Sequence, residues 1–396
     1  MHEQISTFLQ ERIDANDFPS AVYLVAEKGE IVYQDALGYA VIEPERIETK
    51  IDTIYDLASL TKPLVTGMMM ARIVESGEVR LDMSVADLLT EFDSVTFRDI
   101  AIQNLAVHTS GFKAWIPLYL TANSLLRVSE TIAEQPLEAY AGERVIYSDL
   151  NFITLALILE RLKFGSRIDL LAHDELIEPL NLGRSLFNPL SENWRQVAAL
   201  GGQQAIAASE KGNEYEKQTC IEIGYLGPSG GVGNAEKRPV ATALGSDSLF
   251  RNGVIWGEVH DGNAHFMGGV AGHAGLFSTA EEVFKIAQQF LPNYTKLLKP
   301  KTCELFRTNF TKGMNEDRSF AFQLASTKDS TAGATMSPES FGHNGFTGTS
   351  LWIDPVKDRV FILLSNRTHN HPLPFVNINS VRRRFHDLAI ESLNAR

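Results

Sequence analysis

The stretch Ala58-Ser59-Leu60-Thr61-Lys62-Pro63, followed by an apolar run over residues 64–74 and by Gly77, organises the rest of this chain. The apolar residues recur at helical intervals, a proline is tolerated in a first turn, and a glycine suits a left-handed helix cap. The pattern predicts a helix with Ser59 at its N-terminal end. Because Ser59 and Lys62 are three residues apart, they share one face of that helix. The positive end of a helix disfavours an ammonium group, so we expect a neutral lysine that can take the proton of the serine.

A second interpretation of the same stretch requires no chemistry. A serine followed three residues later by a lysine also arises when Ser59 caps a helix and Lys62 is solvated. Other stretches with matching chemistry therefore have to support the catalytic interpretation.

Composition and charge restrict the classes of partner. The chain has 396 residues, 44% of them hydrophobic, and a formal net charge of −13. This length and apolar content predict one or two closely packed domains. The negative charge and the absence of a long apolar span argue against a nucleic-acid partner and against membrane insertion. We expect the one basic run, residues 382–384, to form the solvated face of a final helix.

The two cysteines and the first residues bear on the cellular compartment. Cys220 and Cys303 are far apart and have no metal-ligand spacing, so we expect free thiols. Residues 1–8 have neither a basic start nor an unbroken apolar run, which predicts a cytoplasmic protein. A chain from which a signal peptide had been removed would look the same and would be periplasmic.

The fold class follows from similar patterns at the two ends of the chain. An amphipathic helix at residues 5–13 precedes strands at 21–26 and 31–38, and strands at 350–354 and 359–365 precede a helix at 379–392. A sequence like a capping box, with Ser278 as the N-cap, opens one further helix. We predict an α/β (α+β) fold in which both ends share an antiparallel sheet flanked by helices. Residues 1–80 and 265–396 form this sheet domain, and residues 81–264 form an inserted, mainly helical lobe whose loops line a cleft.

Residues 145–151 form the second stretch with chemical potential. They lead into a helix and include Tyr147, Ser148 and Asp149. One interpretation is a helix N-cap at Ser148 or Asp149, with Tyr147 packed in the core. The other is that Tyr147 lies beside Lys62, which holds it partly ionised, and acts as general base and then acid.

Residues 341–349 form the third stretch and contain three glycines that permit a close approach of the backbone to a ligand. A glycine-rich turn between strands explains them without a ligand. His343 offers a second interpretation, because an imidazole at the end of a strand can bind a substrate carboxylate or move protons. The backbone N–H groups of Ser59 and Phe346 are then candidates for an oxyanion hole.

Together the three stretches resemble the serine β-lactamase and penicillin-binding protein superfamily, which combines S-x-x-K, Y-x-N or S-x-N, and K-T-G or H-x-G motifs. Residues 105–111, LAVHTSG, and 268–279, GGVAGHAGLFST, resemble two further stretches of that superfamily. The similarity extends from about Phe18 to Asn366. Within the superfamily the chain looks most like the branch of class C β-lactamases, esterases and D-aminopeptidases. The resemblance implies the serine β-lactamase-like fold.

The resemblance also implies roles for single residues. Ser59 would be the nucleophile, Lys62 its activating partner and Tyr147 the base and acid. Substrate contacts would come from the remaining motif residues, Asp149, His343, Asn344, Gly345 and Phe346. Asp149 replaces the asparagine of class C β-lactamases, and His343-Asn344-Gly345 replaces their K-T-G. We therefore predict an acyl-enzyme hydrolase acting on an ester, amide or D-amino-acid peptide bond of a small molecule or peptide. A peptidase or esterase is favoured over an efficient β-lactamase, and no metal or organic cofactor is expected.

Two alternatives remain open. A metal-dependent hydrolase would draw three ligands from the acidic and imidazole side chains His260, Asp261, His265, His273, His369 and His371. A non-catalytic penicillin-binding or sensor protein would keep the fold and capture a ligand without turnover. A phosphate site at residues 227–234 is disfavoured because no Lys-Ser or Lys-Thr follows the glycines. We expect the loops over residues 115–142 and 201–275 to shape the substrate pocket.

Overall fold

The computed structural model describes residues 2–122, 124–191, 193–227 and 250–396 of the chain. Its strands are β1 (Ser20–Glu27), β2 (Glu30–Val41), β3 (Ile47–Glu48), β4 (Tyr55–Asp56), β5 (Ala208–Lys211), β6 (Val254–Trp256), β7 (Phe277–Ser278), β8 (Gln323–Leu324), β9 (Phe341–Asn344), β10 (Ser350–Asp354) and β11 (Arg359–Ser365). Its α-helices are α1 (His2–Asp14), α2 (Met68–Ser76), α3 (Val85–Leu88), α4 (Ile102–Ala106), α5 (Leu118–Thr121), α6 (Val128–Ala133), α7 (Asp149–Leu162), α8 (Ile168–Ala172), α9 (Trp194–Ala199), α10 (Glu214–Glu222), α11 (Gly262–Phe266), α12 (Ala280–Ala287) and α13 (Asn379–Asn394).

The two ends of the chain build one antiparallel sheet, as predicted. Within the described residues its strand order is β3-β2-β1-β11-β10-β9-β8. The junction between the ends is the pairing of β1 with β11, in which Val22 lies opposite Leu364. The predicted fold class and both predicted hairpins are therefore confirmed.

Strand β1 is buried on both faces and separates two apolar cores. Tyr23 and Val25 pack with residues of α1 and α13, whereas Val22 and Leu24 face a larger core that includes residues of α2, α7 and α12. Alternate side chains of a strand point to opposite faces, so this one strand belongs to both cores. The larger core is continuous from the sheet into the helical middle of the chain. The division of the chain at residues 81 and 264 stays a prediction.

The helix after Ser59 differs from the regular α-helix that the periodicity predicts. It begins as a 3₁₀ turn over Ala58–Leu60 and continues as a π-helix over Lys62–Gly67 before α2 starts. Gly77 ends α2 with φ of 83°, in the left-handed conformation expected of a helix cap. π-Helical turns are rare and occur frequently at functional sites.

Four further expectations concern single residues or segments. The N-cap of α12 is Thr279, which accepts a hydrogen bond from the N–H of Glu282, so the predicted cap at Ser278 is wrong by one residue. Cys220 and Cys303 are free thiols, as predicted. Among the described helices none has the length and apolarity needed to cross a bilayer. The stretch 227–234 lies outside the described residues except for its first residue.

Candidate active site

Ser59 follows a residue with a strained backbone. Ala58 has φ of 48°, a left-handed conformation that alanine rarely adopts. Asp56 supports this turn, because its Oδ1 accepts a hydrogen bond of 2.8 Å from the N–H of Ala58. The other carboxylate oxygen, Oδ2, accepts one of 2.7 Å from the N–H of His260. Asp56 thus links the turn at Ala58 to the backbone of His260. The Ser59 side chain, which follows this turn, is partly exposed.

Lys62 is fully buried, and three oxygen atoms surround its Nζ. Ser59 Oγ and Asp149 Oδ1 each lie 2.8 Å away, and the backbone oxygen of His273 lies 3.2 Å away. The ammonium group thus donates to Ser59 Oγ and to the backbone oxygen of His273, and it forms an ion pair with Asp149. Burial disfavours the charge on Lys62, but Asp149 and Tyr147 outweigh burial and raise the pKa of Lys62 above its ordinary value. The expectation of a neutral lysine is wrong. It considered the positive end of the helix, which disfavours the ammonium group, but not the carboxylate of Asp149, which favours it.

Tyr147 and Asp149 lie at the start of α7 on a backbone that neighbouring loops hold in place. The N–H of Ser148 donates to Nδ1 of His108 over 3.0 Å, and Ser148 Oγ donates to the backbone oxygen of Lys113 over 2.6 Å. Ser148 is the N-cap residue, but its hydroxyl makes no capping bond to the helix. Tyr147 remains partly exposed and is not packed in the core.

Cations and imidazoles surround the ring of Tyr147. Lys62 Nζ lies 5.0 Å and the guanidinium carbon of Arg318 lies 5.3 Å from the ring centroid. The rings of His108 and His343 lie 4.6 Å and 5.7 Å away. A negative charge that forms on the phenol oxygen is therefore close to two permanent cations.

His343 is a buried, neutral imidazole on strand β9. Its Nδ1 lies 2.9 Å from the backbone oxygen of Asn344, which can only accept, so Nδ1 carries the proton. Burial, Lys62 and Arg318 lower the pKa of His343 well below its usual range. Its Nε2 is left as a buried acceptor without a hydrogen-bond partner among the described residues. A neutral His343 suits acceptance of a hydrogen bond at Nε2 better than it suits pairing with a carboxylate.

The turn after His343 is held by two arginines from distant positions. Arg382 Nη2 donates to the backbone oxygens of Gly345 and Thr349 over 2.8 and 2.9 Å, and Arg367 Nε donates to that of Phe346 over 2.8 Å. Arg382 is only 5% exposed, so the prediction that residues 382–384 form a solvated face is wrong for its first member. Asn344 turns its side-chain amide to Thr331 Oγ1 at 3.0 Å.

Two cavities meet at Ser59, and their linings have opposite charge. The first, here called the basic cavity, has a volume of about 340 Å³ and is lined by Arg318, Arg367 and Arg382. The second, the acidic cavity, has a volume of about 250 Å³ and is lined by Asp149, Glu216 and Asp261. Three residues line both cavities: Ser59, Tyr147 and Phe346. A larger cavity of about 590 Å³ is lined by residues between 169 and 196 and includes none of the predicted site residues.

Every predicted site residue lies at or between these cavities, except Lys62, which is buried behind Ser59. The remaining wall of the basic cavity includes His343, Asn344 and Gly345 from the third motif. The acidic cavity also takes lining residues from both loop regions expected to shape the pocket, Trp115 from the first and Tyr215 from the second. Tyr215 and Glu216 belong to helix α10 and not to a loop.

The candidate metal ligands are dispersed or paired. His260 pairs with Glu210 at 2.8 Å, and the ring of His369 bonds to the backbone N–H of Ile42 and to the backbone oxygen of Ser209. Ligand atoms of Asp149, Asp261 and His273 do lie within 4.8 Å of one another. Within that group, however, His273 is 2.9 Å from Asp261, and Asp149 pairs with the Lys62 ammonium.

Sequence reasoning missed three residues that line the site and have buried polar atoms without a hydrogen-bond partner among the described residues. These atoms are Nε and Nη1 of Arg318, Nε of Arg382 and Oε2 of Glu216. None of the three residues belongs to a motif. The signal available in the sequence was the position of Glu216 within a loop region predicted to line the pocket, whereas nothing in the sequence marked Arg318.

The site and fold agree with the comparison to known families. A sequence model of the Beta-lactamase family matches residues 5–382, and the chain therefore belongs to that family. A protein of Escherichia coli (strain K12) named "Putative D-alanyl-D-alanine carboxypeptidase" is 28% identical over 391 residues, which cover 93% of this chain and 82% of that protein. A protein of the same name from Salmonella agona (strain SL483) is 29% identical over 397 residues, covering 93% of this chain and 83% of that protein.

Solved structures show the same fold at low sequence identity. EstCE1, described as a hydrolase with promiscuous acyltransferase activity, superposes with a TM-score of 0.68 at 18% identity over 97% of this chain and 98% of its own. A penicillin-binding protein homologue from Caulobacter crescentus superposes with a TM-score of 0.68 at 16% identity, over 98% of this chain and 96% of its own. A class C β-lactamase superposes with a TM-score of 0.67 at 15% identity, over 99% of this chain and 96% of its own. The resemblance seen in the motifs is thus confirmed for family and fold.

Proposed function

We propose that this chain is a serine hydrolase that forms an acyl-enzyme on Ser59 and acts as a carboxypeptidase. The observation that carries the proposal is the hydrogen bond of 2.8 Å between Ser59 Oγ and the buried Lys62, at a wall shared by two cavities. A serine hydroxyl paired with a charged, buried lysine and facing open cavities fits a nucleophile better than it fits a helix cap.

The reaction divides into two steps that use Ser59 and Tyr147. In the first, Ser59 Oγ bonds to the substrate carbonyl carbon while its proton passes to Tyr147, which acts as the phenolate. The bond from that carbon to the leaving amine then breaks, and Tyr147 returns the proton to the amine nitrogen. In the second step water bonds to the acyl carbon and gives a proton to Tyr147. The bond from that carbon to Ser59 Oγ breaks, Tyr147 returns the proton to Oγ, and the acid is released. Lys62 stays charged throughout and stabilises the negative oxygens that form beside it.

Arg318 favours a leaving group that carries a carboxylate. Its guanidinium lines the basic cavity, and Nε and Nη1 have no hydrogen-bond partner among the described residues. The remaining nitrogen, Nη2, pairs with Glu316 at 2.7 Å. Arg382 and Arg367 donate to backbone oxygens and so shape the cavity, and Arg382 keeps only one nitrogen, Nε, without a hydrogen-bond partner there. We therefore assign ligand binding to Arg318. Charge-assisted hydrogen bonds to a carboxylate are among the stronger polar contacts in proteins. The names of the Escherichia coli and Salmonella relatives support the same substrate class.

Intact-protein mass spectrometry tests the proposal. The protein is exposed separately to a fluorophosphonate, a penicillin and a p-nitrophenyl ester, and any adduct is located by peptide mapping. We expect an adduct on Ser59 and none in the Ser59→Ala variant. Release of D-alanine from acetyl-D-alanyl-D-alanine would identify a carboxypeptidase, whereas turnover of the ester alone would identify an esterase. A stable penicillin adduct without any turnover would support the non-catalytic alternative, and no adduct at all would overturn the proposal.

A further inference from the structure

Within the described residues, the charged groups on the wall of the acidic cavity form ion pairs, with one exception. Asp149 pairs with Lys62 at 2.8 Å, and Asp261 pairs with His273 at 2.9 Å. His260 pairs with Glu210 at 2.8 Å. Asp149 Oδ1 and Glu216 Oε2 are both buried without a hydrogen-bond partner of good geometry in the described residues. Asp149 Oδ1 faces the Lys62 ammonium, whereas Glu216 has no ion pair within the described residues.

Glu216 is placed to present that oxygen to a ligand. Its Oε1 accepts a hydrogen bond of 2.7 Å from the N–H of Gly262, which orients the carboxylate, and the side chain is only 7% exposed. A Cβ at residue 262 would lie 2.1 Å from Oε2, so the glycine leaves room for the carboxylate. Burial and the charge of Asp261 raise the pKa of Glu216 to about 7, and the hydroxyl of Tyr119 lies close enough to moderate the rise.

Aromatic rings form a large part of the remaining wall of the acidic cavity. Trp115, Tyr215 and Phe346 line it, and the rings of Tyr215 and Phe346 lie 4.8 Å apart. Faces of aromatic rings attract cations, and a buried carboxylate attracts them more strongly. A cavity that combines a free carboxylate oxygen with aromatic faces matches the chemistry of an ammonium group.

We infer that the acidic cavity binds a primary ammonium group on the acyl part of the substrate, with Glu216 Oε2 as its acceptor. The inference rests on the proposed function. If the leaving group takes its carboxylate into the basic cavity, the acyl part remains on the other side of Ser59, where Glu216 lies. The preferred substrate would then carry a positive charge on the acyl side and a negative charge on the leaving side.

Two pairs of peptides with the same leaving group test the inference. D-Alanyl-D-alanine is compared with its N-acetyl form, and Nα-acetyl-lysyl-D-alanyl-D-alanine with its Nα,Nε-diacetyl form. Within each pair the peptides differ by one ammonium group. The kcat/KM is measured per peptide bond cleaved, from the release of D-alanine, with two D-alanines counted for each D-alanyl-D-alanine. We expect a preference of about 10-fold or more for the ammonium member of at least one pair, as a charged hydrogen bond implies.

The Glu216→Gln variant should abolish this preference and keep the acceptor for the Gly262 N–H. Glu214→Gln is the matched control, since Glu214 lies exposed on the same helix and should keep the preference. Equal rates within both pairs of the wild type would overturn the inference while the proposed function stands. A preference that persists in a folded Glu216→Gln protein would also overturn it. Failure of the wild type to cleave any of the four peptides would overturn the proposed carboxypeptidase function and the inference with it.

Discussion

The basic and the acidic cavity share Ser59, Tyr147 and Phe346 yet differ in how their charges arise. In the basic cavity, Arg382 and Arg367 donate to backbone oxygens, and Arg318 has two nitrogens without a hydrogen-bond partner in the described residues, against one, Nε, in Arg382. In the acidic cavity, Asp149 pairs with Lys62 and Asp261 pairs with His273, and Glu216 is the carboxylate without an ion pair in the described residues. Most charged groups of the two cavities thus stabilise the site itself. One cation, Arg318 in the basic cavity, and one anion, Glu216 in the acidic cavity, are left for a ligand.

Both cavities meet at Ser59, so replacement of Ser59 should eliminate the reaction. We expect Ser59→Ala to lower kcat by about 10⁴-fold or more, as loss of a nucleophile does in other serine hydrolases. Thermal unfolding should show a nearly unchanged Tm, because the side chain is small and partly exposed. A variant that keeps both its full rate and its melting curve would refute the mechanism.

Tyr147 lies on the shared wall and is the next largest contributor. Tyr147→Phe should lower the acylation rate by about 10²- to 10⁴-fold, the range typical for loss of a general base. The measurement is the rate of adduct formation with a p-nitrophenyl ester in a stopped-flow experiment. Tyr140→Phe, at an exposed position, is the control. An acylation rate equal to that of the wild type would assign the base to another group.

Arg318 lines the basic cavity and not the acidic one, so its replacement tests the basic cavity separately. Arg318→Met should lower kcat/KM by roughly 10- to 100-fold for peptides with a free C-terminal carboxylate, because charged hydrogen bonds are lost. For the corresponding peptide amides, which have no terminal carboxylate, kcat/KM should fall much less. Arg384→Met, at an exposed position of α13, should affect neither. Equal losses for acids and amides would mean that Arg318 acts only through Tyr147.

Asp149 lies at the edge of the acidic cavity and controls the charge of Lys62. Burial lowers the pKa of Lys62, and the carboxylate of Asp149 contributes most to raising it. Removing that charge in Asp149→Asn lets burial dominate, so Lys62 loses its proton at lower pH. We therefore expect the alkaline limb of the profile of kcat/KM against pH to move to lower pH. The exposed substitution Asp174→Asn should leave the profile in place, and an unmoved limb in Asp149→Asn would contradict the assignment.

The smallest effect is expected from metal removal. Asp149, Asp261 and His273 lie close enough to suggest a cation site, but Lys62 and the pair between Asp261 and His273 already satisfy them. Dialysis against a chelator should therefore leave kcat/KM unchanged. Loss of activity that added zinc restores would revive the metal-dependent alternative.

Much of the fold was readable from local patterns. The helices at both ends and the two hairpins have their periodicity in contiguous residues, so their types and approximate bounds were predictable. The helix after Ser59 was not, because its 3₁₀ and π turns depend on close packing, including that of Gly67 against Ala321. The predicted N-cap of α12 was wrong because both Ser278 and Thr279 are good N-cap residues. Ser278 is paired with Tyr55 between strands β7 and β4, so the helix is capped by the next residue, Thr279.

For the site, the sequence by itself determined which residues offer chemistry, since the spacing of Ser59, Lys62, Tyr147 and His343 belongs to short motifs. Only the tertiary structure decided their charge and their partners. The raised pKa of Lys62 depends on Asp149, and the lowered pKa of His343 depends on burial and on Lys62. Free polar atoms on Arg318 and Glu216 exist only because neighbouring segments leave them buried and unpaired. Desolvation and contacts between residues far apart in sequence set these properties, and no local pattern records them.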